Sequence, residues 1–188
     1  MKTVYIDPEN YHYHEMTVAG LKRQLPVCRV NDSLYIAGFV IFGDVELTVH
    51  AAAELLKRLP EFDYIVTPEA KSIPLAYEMS RQSGKKYFVA RKKPKLYMKD
   101  PVIVNVRSIT TESVQTLIMD SIEGEQIRGK RVVILDDVIS TGESLKAVEE
   151  LCAKFDANVV AKAAVLAEGD AAKRDDIVFL GEIPLIEK

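Results

Sequence analysis

Between residues 48 and 180 the apolar positions switch repeatedly between two spacings. Ala51, Ala52, Leu55, Leu56 and Leu59 recur at helical spacing and predict an amphipathic helix over 48–59, ended by Pro60. Tyr64-Ile65-Val66 is too short for a helix and reads as a buried strand. A turn at 67–72 leads to a second helix carrying Ile73, Ala76, Tyr77 and Met79, which Gly84 ends. Tyr87-Phe88-Val89-Ala90 is the next strand. A long charged stretch, Arg91–Thr111, has a strand-like centre at Val102–Val106, and Val114–Met119 is a further strand. Gly129 precedes the apolar run Val132–Leu135. Leu145, Val148, Leu151, Cys152 and Phe155 then mark one face of another helix, and strands are expected at 159–166 and 177–180. Upstream, residues 1–43 offer only short strand-like pieces at Ser33–Ala37 and Phe39–Phe42.

Strand–helix–strand alternation over 48–166 argues for an α/β fold with a mostly parallel sheet and helices on both faces. In such sheets ligands bind beyond the carboxyl ends of the strands. The turns after residues 66, 90 and 135 all leave such ends and can meet in one cleft. The 188 residues show no repeat, low-complexity tract or linker and fit a single domain, 1–188.

The most informative segment is 132–144, Val-Val-Ile-Leu-Asp-Asp-Val-Ile-Ser-Thr-Gly-Glu-Ser. Asp136 and Asp137 close a buried strand. Ser140, Thr141, Gly142, Glu143 and Ser144 then form a small-residue turn into a helix. Backbone N–H groups at a positive helix end suit a phosphate, and the three hydroxyls add donors. The adjacent acids suit the hydroxyls of a sugar, directly or through Mg²⁺. Together they describe a cradle for a phosphorylated ribose. The nucleoside-triphosphate loop Gly-x-x-x-x-Gly-Lys is absent.

Two further turns carry charge. Thr67-Pro68-Glu69-Ala70-Lys71-Ser72 offers Lys71 and backbone N–H groups to a diphosphate, or is a plain helix start with a solvated lysine. Arg91-Lys92-Lys93-Pro94-Lys95 places four cations in five residues, whose repulsion an anion or solvent must relieve.

Composition narrows the partners. Hydrophobic residues at 48% and charged residues at 28% are those of an ordinary globular protein. A net charge of −3 makes nucleic acid an unlikely partner, and no apolar run is long enough to span a membrane. No secretory leader is visible at Met1–Pro8, and Cys28 and Cys152 form no Cys-x-x-Cys, which favours a reducing cytoplasm. His12 and His14 would share a strand face, but no third metal ligand stands near them in sequence.

On these residues the chain resembles the type I phosphoribosyltransferases, and within them the adenine enzymes. The 132–144 segment is similar to their phosphoribosyl-pyrophosphate (PRPP) motif. Glu69, Ala70, Lys71 and Ser72 resemble their pyrophosphate loop, with Ser72 in place of a glycine. Arg91, Lys92 and Lys95 resemble the start of a loop that closes over the diphosphate. Gly38–Asp44 is similar to the strand segment carrying their purine platform.

The resemblance implies a core over about 44–166 and a small hood from 1–43 and 167–188. It implies a Mg²⁺-dependent transfer of phosphoribose from PRPP to a purine-like base in purine salvage, and a homodimer. Asp136 and Asp137 would hold the ribose diol and its Mg²⁺, and Ser140–Ser144 the 5′-phosphate. Glu69, Ala70, Lys71, Ser72, Arg91, Lys92 and Lys95 would hold pyrophosphate. Ile41 would offer backbone groups to the base edge, and Phe42 would stack on its face.

Two departures stand out. Ser108, Ile109 and Thr110 replace a Tyr-Gly pair, often preceded by Glu, with Glu112 and Gln115 nearby but not matching. Gly169 follows Glu168 where the family has leucine, which predicts a roomier pocket in which Gly169→Leu tightens adenine. Two other readings stay open: a PRPP-binding regulator without catalysis, and a transferase for another base.

Overall fold

The computed structural model describes residues 3–5, 7, 10, 12–107 and 114–187. Its centre is a five-stranded parallel sheet. In spatial order this runs β11 (Val178–Ile183), β10 (Asn158–Glu168), β9 (Arg131–Ile139), β5 (Tyr64–Pro68) and β6 (Lys86–Ala90). Helices cover both faces, which is why the β9 sequence is apolar at successive positions. Val133 and Leu135 pack with α1 (Val45–Arg58) and α2 (Ile73–Ser83). Val132 and Ile134 face the other way, into a second core with α3 (Ser121–Ile127) and α4 (Glu143–Lys154). The expected α/β class and parallel sheet are therefore found.

A second sheet forms the hood. Its order is β1 (Thr3–Tyr5), β12 (Leu185–Glu187), β4 (Leu34–Ala37), β3 (Leu21–Arg29) and β2 (Tyr13–Val18), antiparallel except for the β1–β12 pair. Ala19 and Gly20, with φ of 51° and 80°, make the tight β2–β3 turn. The sequence reading missed this hairpin and the short β1 and β12 strands. It also assigned 178–183 to the hood, whereas those residues form an edge of the central sheet.

Two boundaries shift for local reasons. Phe39–Phe42 is not a strand, because the chain leaves β4 at Ala37 and turns. The first helix begins at Val45, not at 48, because Asp44 caps it by accepting from Leu47 N–H at 3.0 Å. Arg23 reaches across from β3 to Asp44 at 2.6 and 2.9 Å and to Glu46 at 2.8 Å, pinning the hood to this helix start. The Arg23 guanidinium holds the Asp44 carboxyl below its ordinary range.

A two-stranded ribbon, β7 (Val102–Arg107) and β8 (Val114–Met119), stands over the carboxyl ends of the sheet. It is anchored: Val104, Val106, Leu117 and Met119 are buried in the second core. Arg91 N–H and C=O also bond Ile118, each at 2.8 Å. Ser108, Ile109, Thr110 and Glu112 lie outside the described residues. α3, absent from the sequence reading, is started by Asp120, which accepts from Ile122 N–H at 3.0 Å.

Candidate active site

A cleft of about 870 Å³ opens where β5, β9 and β10 end, roofed by β8 and walled by the hood. Asp136 and Asp137 lie on its floor, inside the last turns of β9. Asp137 is buried, at 5% exposure, and its Oδ2 has no hydrogen-bond partner. Lys71 Nζ stands 3.3 Å from that oxygen, close enough to pair with it but outside hydrogen-bond geometry. Asp136 accepts the Asp137 N–H at 2.9 Å. Burial first, and then the charge of Asp137, push the Asp136 carboxyl well above the usual carboxylate range. A buried acid beside a half-buried one, with one orphan oxygen, is suited to donors brought by a ligand, such as a vicinal diol.

Ser140 and Ser144 line the same cleft. Gly142 has φ of 81° and caps α4, with Thr141 Oγ1 3.5 Å from the Glu143 N–H. The turn sets the positive start of a three-turn helix beside the cleft, a position that suits an anion. Ser144 Oγ donates to Gln115 on β8 at 3.2 Å, tying the roof to the loop. Arg174 was not singled out in the sequence. Its Nη1 lies only 2.7 Å from where a Cβ on Gly142 would stand, while Nε and Nη2 are held by Asp176 at 2.8 and 2.7 Å. Sequence could not place it, because it comes from the β10–β11 connection.

The residues expected to hold pyrophosphate divide. Lys71 and Lys92 line the cleft, as do Glu69 and Ala70, whose shared peptide is cis. Glu69 accepts the Lys92 N–H at 3.0 Å and stands 3.4 Å from Arg91 Nε. The Lys92 N–H, and then the charge of Arg91, lower its carboxyl. Glu69 therefore positions the basic turn and leaves Arg91 paired. Arg91 and Lys95 stand outside the cleft lining. Ser72 points inward: its buried hydroxyl lies 2.7 Å from Thr67 Oγ1 and 3.1 Å from the Pro68 carbonyl. Thr67 donates to the Leu135 carbonyl at 2.8 Å, locking this turn to the strand that carries the diacid. Ser72 adopts ordinary helical geometry, φ −79°, so no glycine is required there.

The base side differs most from the sequence reading. Ile41 is fully buried in the core and Phe42 is half-exposed, and neither lines the cleft. Ile36–Val40 form that wall, opposite Glu168 and Ile183. Gly169 has φ of 59°, and a Cβ there would meet Leu185 at 3.5 Å, away from the cleft. Gly169→Leu would be strained and would not fill the pocket, so the tightening expected from the sequence is withdrawn.

Among the described residues no group of three or more His, Cys, Asp or Glu side chains could hold a metal, so the His12–His14 pair gains no third ligand. Both cysteines are free. Burial pushes the Cys152 thiol up to about 12 and leaves it inert in the core.

A diacid at a strand end, a small-residue helix-start loop beside it and lysines in the turns after β5 and β6 meet in one cleft. The chain belongs to the phosphoribosyl transferase domain family, whose model matches residues 46–183. It is 31% identical to a hypoxanthine/guanine phosphoribosyltransferase of Methanothermobacter thermautotrophicus, over 80% of this chain and 77% of that one. It is 32% identical to an adenine phosphoribosyltransferase of Thermosipho africanus, over 64% of this chain and 69% of that one. In fold it is similar to an adenine phosphoribosyltransferase from Thermoanaerobacter pseudethanolicus, with a TM-score of 0.65 at 18% identity, covering 91% of this chain and 95% of that one. A Saccharomyces cerevisiae adenine phosphoribosyltransferase gives a TM-score of 0.64 at 21% identity, over 90% and 93% of the two chains. The chain is a phosphoribosyltransferase, an enzyme of the glycosyltransferase class acting on a purine or pyrimidine base.

Proposed function

We propose that the enzyme transfers phosphoribose from PRPP to a purine base, giving a nucleoside 5′-monophosphate and pyrophosphate in purine salvage. The observation that carries this is the meeting, in one cleft, of the 140–144 loop, the Asp136–Asp137 pair and Lys71 with Lys92. The apolar hood wall Ile36–Val40 beside them suits a flat heterocycle.

In this reading the diol hydroxyls of the ribose donate to Asp136 and Asp137. The loop N–H groups, with Thr141 and Ser144, donate to the 5′-phosphate, and Arg174 adds positive charge at the loop's edge. A base nitrogen bonds to the anomeric carbon as that carbon's bond to the pyrophosphate oxygen breaks, and the imidazole proton that the base gives up goes to the departing pyrophosphate. Lys71 and Lys92 meet the charge that develops on the leaving group, and β8 with the basic turn excludes water. Members of this family typically take PRPP with Mg²⁺. The orphan Asp137 oxygen beside the Asp136 carboxyl fits an ion that arrives on PRPP. When bound, Mg²⁺ supplies further neutralisation of the diphosphate. A screen of purine and pyrimidine bases with PRPP and Mg²⁺, read by pyrophosphate release, tests the reading; turnover of pyrimidines alone would sink it.

Arg91, Lys92 and Lys95 resemble the start of a loop that closes over the diphosphate, and the buried side of the β7–β8 ribbon limits the part that can move. Residues 92–101 lie outside the ribbon and hold exposed Lys92, Lys93, Leu96 and Tyr97. Their amides are expected to exchange quickly alone and to be slowed by PRPP, while 102–106 and 115–119 stay protected in both states. Equal exchange of 92–101 in both states would show a fixed turn.

We further propose one domain over 1–188 and a homodimer. The first core joins hood residues Val18, Leu25 and Ala37 to Ile65 and Leu135 of the sheet, which supports the single domain. Exposed Val45 and Tyr77 line an apolar hollow between α1 and α2, which supports self-association. Light scattering that gives a monomer for the wild-type protein, or an unchanged dimer for Tyr77→Glu, would count against this face. No described helix is long and apolar enough to cross a membrane, and the two free cysteines suit a reducing, cytoplasmic setting.

A further inference from the structure

Phosphoribosyl binding leaves one carboxylate of the cleft unused. Glu168 ends β10 in register with Ile183 of β11, is half-buried, and lines the cleft with Ile183 and the hood wall. Among the described residues no hydrogen bond or ion pair is made to its side chain. Solvent-facing glutamates need no partner, but this one faces a cavity whose other charges are already assigned.

Its position along the sheet gives it a role. From β6 across β5 and β9 to β10, the cleft runs from Lys92 and Lys71, through the diacid, to Glu168. The diphosphate must lie toward the lysines. A displacement at the anomeric carbon brings the base in from the side opposite the leaving group, which is the β10 end. Like charge would keep an anionic base such as orotate away from Glu168.

An ionised carboxylate only accepts hydrogen bonds, and its two oxygens match two parallel N–H donors. Guanine presents that pair, its ring N1–H beside the 2-amino group. Hypoxanthine presents N1–H alone. Adenine sets its amino group beside N1, a lone pair that a carboxylate repels. Resting on the purine-transferase reading above, we propose that Glu168 is a specificity residue that reads the donor edge of a 2-amino-6-oxopurine, so that guanine is the preferred base.

The test is steady-state turnover of guanine, hypoxanthine and adenine by the intact protein and by Glu168→Gln, with the KM for PRPP measured alongside. The wild type is expected to favour guanine over hypoxanthine by about tenfold or more in kcat/KM, because a site built for a donor rejects the analogue that lacks it. Adenine should be poorer still. Glu168→Gln should shrink the guanine–hypoxanthine gap to within about threefold while the KM for PRPP stays unchanged. If the variant does not fold, 1-methylguanine with the wild type replaces it, and loss of the guanine advantage is expected. A wild-type preference for adenine or hypoxanthine overturns the proposal. So does a variant that slows all three bases equally, or a 1-methylguanine used as well as guanine. Each of these leaves the transferase reading intact. Failure of every purine, with PRPP still bound, overturns that reading and this inference together.

Discussion

Asp137→Asn is expected to weaken PRPP binding by about tenfold to a hundredfold and to leave the thermal midpoint unchanged or slightly higher. The first half follows from charge. The buried Asp137 oxygen has no hydrogen-bond partner in the free protein, so its desolvation is offset only by the ion pair with Lys71 at 3.3 Å. A ribose hydroxyl would complete it, and a hydrogen bond to a charged group is worth about 1.5–3 kcal/mol. The second half follows from repulsion. Asp137 is part of what holds the Asp136 carboxyl up, so removing its charge lets Asp136 ionise at less cost. The lost partner, Lys71, is half-exposed and can turn to water, so little stability goes with it. Calorimetry with PRPP and a thermal melt separate the two effects. Unchanged affinity would mean that Asp137 does not touch the sugar. A large fall in midpoint would mean that it is retained for the fold instead.

What could be read from sequence was what is local. The β9 run, its two acids, the small-residue turn and the α4 stripe are contiguous, so order along the chain is also order in space. Lys71 and Lys92 follow because each lies within a few residues of a strand end. The base side is not local: its wall joins Ile36–Val40 from near the amino terminus to Glu168 and Ile183, and only the β10–β11 register and the hood bring them together. Resemblance to the family's platform segment placed Ile41 and Phe42 at the base, but the Asp44 cap turns that segment away. The β2–β3 hairpin escaped because its strands are mostly exposed and carry charges on the open face, which blurs the alternation. Gly169 looked like a missing side chain in the pocket, yet its positive φ sends any Cβ toward Leu185. Arg174 and the Thr67–Ser72 lock are likewise contacts across elements that no spacing rule reports.

α3 was missed for a similar reason, and it carries the second large prediction. A glycine inside a seven-residue helix argues against the helix on propensity, since alanine in an open helix is better by about 1 kcal/mol. Gly124 is kept by what lies over it. A Cβ there would stand 2.1 Å from two ring carbons of Phe155, and that ring is buried at the end of α4 within the second core. The ring is 2% exposed within the second core and cannot move aside without disturbing its packing. Gly124→Ala should therefore destabilise the protein, by about 1–3 kcal/mol for overpacking, against the propensity gain. At about 2–4 °C per kcal/mol for a chain of this size, the midpoint should fall by several degrees. Phe155→Leu, which shortens the obstructing group, should leave a gap alone but recover stability in combination with Gly124→Ala. That coupling, measured in a double-mutant cycle, distinguishes a steric clash from a general weakness of α3. If Gly124→Ala raises the midpoint, as it would in an open helix, the ring does not pack on the Gly124 backbone and the contact between α3 and α4 is built otherwise.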